Sequence, residues 1–317
     1  MTDFNEFAGK RVFVTGGTGF IGSHLLDRLS QLNARVCAVS RAQQPEGRNA
    51  IQWYQGDLAD LPSTNNLLRA IKPDVIFHLA SHVAGARSPD IIMPTFQSNL
   101  MSTVNLLTAA QTMGCGRFIL PGSLEEPSAG CAEVVPSSPY AVTKWASSAY
   151  ARMFHALYQF PTVILRIFMV YGPAQRDLQK LIPYVIGALL KGDVPKLTSG
   201  QRPVDWVYVD DVVEALLAAA VARNVEGKTI DIGSGRGETV RTVTEKLVRF
   251  AGSDIVPLFG ARPDRPLEQV RVADTNGAEE LLGWTSRVSL DEGLKRTIAW
   301  YEQNLDVAAS RDAVQIS

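Results

Sequence analysis

A tyrosine and a lysine four residues apart are the first groups in this sequence with chemistry to offer. The run Ser138-Pro139-Tyr140-Ala141-Val142-Thr143-Lys144 predicts the start of a helix. Four-residue spacing puts the phenol and the ammonium on one face. A cation beside a phenol favours the phenolate, so Tyr140 is expected to exchange a proton near neutral pH, well below its free pKa of about 10. Such a pair also occurs by chance on surface helices, and Ser123 is what lifts it. Ser123 ends the apolar run RFILPGS, and strand ends of an open sheet face the ligand crevice. A hydroxyl there would hold the substrate oxygen that Tyr140 protonates or deprotonates.

A second set surrounds the first strand. Val12 to Gly22 reads as strand, glycine turn and helix start, with Gly16, Gly19 and Gly22 in G-x-x-G-x-x-G spacing around Phe20 and Ile21. Glycines there let the backbone approach a pyrophosphate and set the next helix's positive end beneath it. A dinucleotide is the expected ligand. The second strand ends Val39-Ser40-Arg41, with no acid before Glu46. A carboxylate there would accept from the ribose hydroxyls of NAD, whereas a hydroxyl and a guanidinium suit a 2′-phosphate. NADP is therefore the expected cofactor and NAD the alternative, although an Arg at this place is also an ordinary solvent-facing loop residue. Asp57, in Gly56-Asp57-Leu58, either accepts from the adenine amino group or caps the following helix.

Such groups need a rigid frame. Short β-branched runs at RVFVTG, ARVCAVS, IQWYQG, DVIFHLAS, RFILPGS and PTVILRIF are nearly continuous in apolar residues, as strands buried on both faces are. Helical stripes lie between them, one through Ile21, Leu25, Leu26 and Leu29, another over about 91–113. The alternation predicts an α/β fold, a Rossmann-type doubly wound parallel sheet, joined by a smaller α/β substrate-binding lobe. The expected boundaries are 1–168 plus 206–232 for the dinucleotide domain, 169–205 plus 233–306 for the lobe, and 307–317 as a flexible tail. At 317 residues the chain buries its core without metal or disulfide support, and no metal site is read. A net charge of -1 recruits neither nucleic acid nor anionic lipid, and no apolar run spans a bilayer. The polar N-terminus carries no export signal, and Cys37, Cys115 and Cys131 read as free thiols in a reducing cytoplasm.

The ordered segments TGGTGFIG, GDL, DVIFHLAS, Ser123, YAVTK, LRIFMVYGP, VYVDDVVEA and DIGSG resemble the extended short-chain dehydrogenase/reductase family. They resemble in particular its NAD(P)-dependent epimerase/dehydratase branch, which acts on nucleotide-activated sugars. The likeness covers about residues 10–303. It implies Ser123, Tyr140 and Lys144 as the catalytic triad, with Lys144 also on the nicotinamide ribose. It further implies Asn99 as a support of the site, and Leu58, Leu79 and Ala80 beside the cofactor. Family members commonly dimerise through helices corresponding to about 91–113 and 140–160, so a homodimer is expected.

Departures narrow what the resemblance implies. Met169 stands where the family has an asparagine, and Val204-Asp205-Trp206 lacks the arginine of its RDF signature, for which Arg202 is a candidate substitute. Arg265 matches a diphosphate-binding position, with a surface salt bridge as its ordinary alternative. Glu125 sits at the offset of a dehydratase acid, while Leu124 lacks the acid that one dehydratase class carries between them. The phrases VDWVYVDDVVEA and LFGARPDRPLEQVRVAD look similar to 4-ketoreductases of the CDP-sugar type. The leading expectation is NADPH-dependent reduction of a nucleotide-linked 4-keto-6-deoxy sugar at C4. A 4-epimerase comes next and a 4,6-dehydratase third. A non-sugar carbonyl reductase and a catalytically silent cofactor-binding scaffold complete the alternatives.

Overall fold

The structure is a computed structural model that describes residues 4–44, 51–83, 87–127 and 135–312. The first half of the chain alternates strand and helix: β1 (Arg11–Thr15), α1 (Phe20–Gln31), β2 (Arg35–Ser40), β3 (Gln52–Gln55), α2 (Leu61–Ile71) and β4 (Val75–His78). There follow α3 (Ile92–Thr95), a π-helical stretch Phe96–Met101, α4 (Ser102–Met113), β5 (Arg117–Ser123), α5 (Pro139–Tyr158) and β6 (Thr162–Ile167). The remainder comprises β7 (Met169–Tyr171), α6 (Leu181–Lys191), β8 (Pro203–Tyr208), α7 (Val209–Val221), β9 (Thr229–Ile232), β10 (Gly237–Thr239), α8 (Val240–Phe250), α9 (Asn276–Leu282) and α10 (Leu290–Asp312).

The chain divides into two units. The first spans 1–167, 213–231 and 276–284 and is built on the seven-stranded sheet β3-β2-β1-β4-β5-β6-β9. The pairs from β3 to β6 are parallel, and the order reverses between β1 and β4, where an open sheet forms its crevice. Phe13, Ile76, Leu106, Leu107, Phe118 and Ile164 make its core, so the central strands are apolar on both faces, as their continuous runs require. β3 departs from that expectation: it is the sheet edge, and both of its terminal residues, Gln52 and Gln55, are exposed.

The second unit spans 168–212, 232–275 and 285–317. Its sheet has the order β10-β8-β7, with β8 parallel to β7 and antiparallel to β10. Tyr171, Trp206, Val185, Leu247 and Tyr301 pack its core. β8 was expected in the first sheet. Its continuous apolar run satisfies any strand buried on both faces and does not say which sheet takes it. Residues 276–284, read as part of the lobe, belong to the first unit. Residues 307–312, expected in the tail, belong to α10, and 313–317 lie outside the described residues. Among the described residues no helix is long and apolar enough to cross a membrane. Cys37 and Cys115 are buried free thiols, while Cys131 and Glu46 lie outside the described residues.

Candidate active site

Gly16 turns the chain out of β1 in the left-handed region, φ +69°, with so little room that a Cβ would stand 2.6 Å from the Ala80 nitrogen and the Leu79 carbonyl carbon. A Cβ at Gly22 would collide with the Gly16 carbonyl oxygen. Gly19 precedes α1 with no side chain capping that helix, so the first-turn N–H groups keep their donors for a ligand. Thr15 Oγ1 accepts the Ala80 N–H at 3.0 Å, fastening the glycine turn to the exit of β4. The cradle fits a dinucleotide pyrophosphate, and Phe20 and Ile21 open the helix that supports it.

Around the cradle the other expected cofactor residues take up defined places. Ser40 ends β2 and its hydroxyl accepts from Gln44 at 3.2 Å, while Arg41 is exposed. Asp57 does not cap α2, because Asp60 does so by accepting the Ser63 N–H at 2.7 Å. The exposed Asp57 carboxylate instead accepts the Ala59 N–H at 2.9 Å. Asn105, which the sequence reading passed over, donates to the carbonyls of Leu58 and Ala59 at 2.9 Å each and fixes that loop. His78 was passed over too. Buried between Thr15 Oγ1 (2.8 Å) and Thr103 Oγ1 (3.0 Å), it is held neutral: burial, helped by the Lys144 charge, lowers its pKa to about 3.

The residues expected to be catalytic gather near the end of β5. Ser138 caps α5 by accepting the Ala141 N–H at 3.2 Å, and Pro139 occupies the first turn. The helix therefore begins in time to put Tyr140 in its first turn and Lys144 in the next. Tyr140 is half-buried and its hydroxyl shares a hydrogen bond with Ser123. Asn99 lies in the π-helical stretch, accepts the His82 N–H at 2.6 Å and donates to Thr143 Oγ1 at 3.1 Å. It thus ties α5 to the loop that leaves β4, which is a supporting place.

The electrostatics correct one expectation. Burial pushes the Tyr140 phenol up to about 12; the Ser123 hydrogen bond opposes that rise and the charges of Glu126 and Glu125 add to it. Desolvation lowers Lys144 to about 8, against the attraction of Glu126. Tyr140 is therefore favoured as a protonated phenol at neutral pH, because burial and two carboxylates outweigh the Ser123 hydrogen bond. Glu126 itself is 1% exposed. Glu125 is half-buried; it donates its N–H to Ser123 Oγ at 3.2 Å, and its carboxylate accepts from Ser137 at 2.5 Å.

Residues 12–233 match the NAD dependent epimerase/dehydratase family. The chain belongs to that family. Among its members, the UDP-glucose 4-epimerase of Mycolicibacterium smegmatis is 31% identical, over 92% of this chain and 98% of its own length. The mouse (Mus musculus) dTDP-D-glucose 4,6-dehydratase is 28% identical, over 93% and 89%. A solved member, the Bacillus cereus UDP-glucuronic acid 4-epimerase in complex with UDP-glucuronic acid and NAD, superposes with a TM-score of 0.81 at 28% identity, over 92% of this chain and 99% of that one.

The remaining expected substrate residues of this family member lie in the second unit. Arg202 pairs with Glu268 at 3.2 Å and Arg265 reaches the same carboxylate at 3.9 Å. Arg202 is the better enclosed of the two, and its Nη1 is buried without a hydrogen-bond partner. Asp205, the retained acid of the altered RDF segment, accepts N–H groups from Ser234, Gly235 and Ala273 and so shapes two loops of that unit. Among the described residues no cluster of His, Cys, Asp and Glu could hold a metal ion.

Proposed function

We propose that this protein is an NAD(P)-dependent oxidoreductase of a nucleotide-activated sugar, and that its reaction is the reduction of a 4-keto-6-deoxy sugar at C4. The observation that carries the direction is the end of β2, where Ser40 and the exposed Arg41 stand with no acid beside them, an arrangement that suits NADP and net consumption of reductant. Burial also pushes the Tyr140 phenol up, which favours its acid form. An epimerase or dehydratase must begin with Tyr140 as a base, a state that the positive charge of an oxidised nicotinamide favours and a reduced one does not.

The Gly16–Gly22 cradle would hold the dinucleotide, which in its reduced form would supply the hydride for C4. Ser123 donates a hydrogen bond to the ketone oxygen and fixes it against the phenol. Tyr140 delivers the proton that completes the alcohol. Lys144, one turn along the same helix, stabilises the phenolate left behind and leads the replacement proton in. Ser40 and Arg41, with no acid at the end of β2, support NADP over NAD. The second unit serves as the substrate lobe, where the unpartnered Arg202 nitrogen suits a diphosphate oxygen. Exposed Val142, Trp145 and Tyr150 on α5, with Ile92, Met93 and Phe96, support a homodimer, since apolar surface of this kind is normally covered.

The second reading is a nucleotide-sugar 4-epimerase, favoured by the Mycolicibacterium relative. Incubating the protein with nucleotide sugars and with their 4-keto-6-deoxy derivatives, each with NADPH or NADH, decides between them. Consumption of NADPH by the keto derivative is the expected result. Interconversion of unmodified nucleotide sugars with no net use of reductant, or tighter binding of NADH than of NADPH, overturns the reduction in favour of the epimerase.

A further inference from the structure

Among the described residues of the first unit Glu126 is one of few buried charged side chains, and no step of the reaction above uses it. Its Oε1 accepts the backbone N–H of Ser123 at 2.8 Å and the hydroxyl of Ser148 at 3.0 Å. One bond holds the strand end that carries the catalytic serine. The other holds α5 one turn beyond Lys144, on the same face of the helix. The fit is close, since a Cβ on Gly122 would stand 2.5 Å from the same carboxylate oxygen.

We propose that Glu126 is a positioning residue of this active site: its buried carboxylate clamps the end of β5 to the catalytic helix, and it is the fixed counter-charge that keeps Lys144 an ammonium ion. The proposal rests on the reading of Lys144 and Tyr140 as the reacting pair. Burial alone would neutralise both partners, raising the acid and lowering the base. Each is opposed by the other. Desolvation leaves the Glu126 carboxyl raised, while its two hydrogen bonds, then Lys144 and Arg166, hold that rise back, and Glu126 pulls Lys144 up.

Other groups around Lys144 leave Glu126 as its main anion. From β4, His78 is neutral. From β6, Arg166, paired with Asp231 at 2.6 Å, is a second cation and supplies no negative charge. Glu125, beside it in sequence, bears on Tyr140 and not on Lys144, and Tyr140, on the same helix, is a neutral phenol. Removing the Glu126 charge therefore leaves a buried ammonium with no compensating partner, and such a group sheds its proton.

The test is a titration of the Lys144 amine by NMR in protein carrying ¹³C-labelled lysine, with Lys144→Met giving the assignment. The native amine is expected to titrate near pH 8, and in Glu126→Gln about one pH unit lower or more, a tenfold change in acid constant. Glu126→Asp, which keeps the charge, should restore most of the shift. The alkaline limb of the pH–rate profile should move with the amine, and in kcat more than in KM. An unchanged Lys144 titration in folded Glu126→Gln overturns the proposal. Should that variant not fold, the native protein still decides: a ¹³C-labelled Glu126 carboxyl that is protonated at pH 7 overturns the counter-charge. A shifted Lys144 with an unmoved pH–rate profile supports the ion pair and overturns the assignment of Lys144 to the reaction.

Discussion

Glu126 in the first unit and Asp205 in the second are both carboxylates withdrawn from water, at 1% and 0% exposure, and their surroundings differ. Asp205 is filled by donors on both oxygens: the Ser234 N–H and hydroxyl at 2.7 Å each, and the N–H groups of Gly235 and Ala273 at 3.0 Å. All three residues lie in loops that have no sheet partner for those N–H groups, so the acid stands in for a strand. Glu126 takes two donors through one oxygen and faces cations on α5 and β6. A buried acid saturated by backbone donors shapes a scaffold. One left beside a lysine sets a charge where chemistry needs it.

The comparison breaks most sharply at Tyr140, where the first region is claimed to react. Tyr140→Phe keeps the ring and removes the transferable proton, so turnover should fall about 10² to 10⁴-fold, the size of a lost general acid. Cofactor affinity and thermal stability should hardly move, because the ring's packing survives. Steady-state rates beside a melting curve make the check. A near-native rate would mean that the end of β5 is scaffold as well.

The reverse pattern is expected in the second region. Asp205→Asn preserves shape but replaces an acceptor by an amide donor against N–H groups that already need acceptors. Hydrogen bonds to a charged group are worth about 1.5–3 kcal/mol, and this change removes at least one. The variant should lose about 3 kcal/mol in chemical denaturation, with the remaining folded protein keeping its rate. Full stability, or a rate loss beyond the unfolded fraction, would put Asp205 in the chemistry and erase the contrast.

What the sequence made legible follows from the range of the interactions. Tyr140 and Lys144 are set by one helical turn, and Gly16, Gly19 and Gly22 by a single tight loop, so spacing singled them out once Ser123 at a strand end and the strand before the glycines were added. Family resemblance carried Asn99. His78 and Glu126 were missed because their partners are remote: Thr15 lies 63 residues from His78, and Ser148 lies 22 from Glu126. No local pattern announces that a histidine between two threonines is neutral. The same limit misplaced β8, whose partners β7 and β10 flank it at a distance in sequence. It also hid the charge balance at Tyr140, which depends on acids that only packing brings close.

The smallest effect is expected at Glu125, the neighbour of Glu126 with the opposite fate. Its side chain is half-buried and its carboxylate is occupied by Ser137, and its charge is the weakest of the named influences on Tyr140. Glu125→Gln retains an oxygen to accept that hydroxyl, so it exchanges a charged hydrogen bond for a neutral one. The cost is about 1 kcal/mol at most, and turnover of a 4-keto sugar should stay within roughly fivefold of native. Reduction of a ketone requires no proton to be taken from the neighbouring carbon, so nothing else is lost. A dehydratase needs that step: an acid at this offset removes the proton beside the ketone while water leaves from the next carbon. Rates on the 4-keto substrate and on the unmodified nucleotide sugar, with cofactor affinity measured in parallel, separate the two. If Glu125→Gln abolishes turnover at unchanged cofactor affinity, and the native protein releases a 4-keto-6-deoxy product, the reacting acid is Glu125 and the protein eliminates water rather than reducing a ketone.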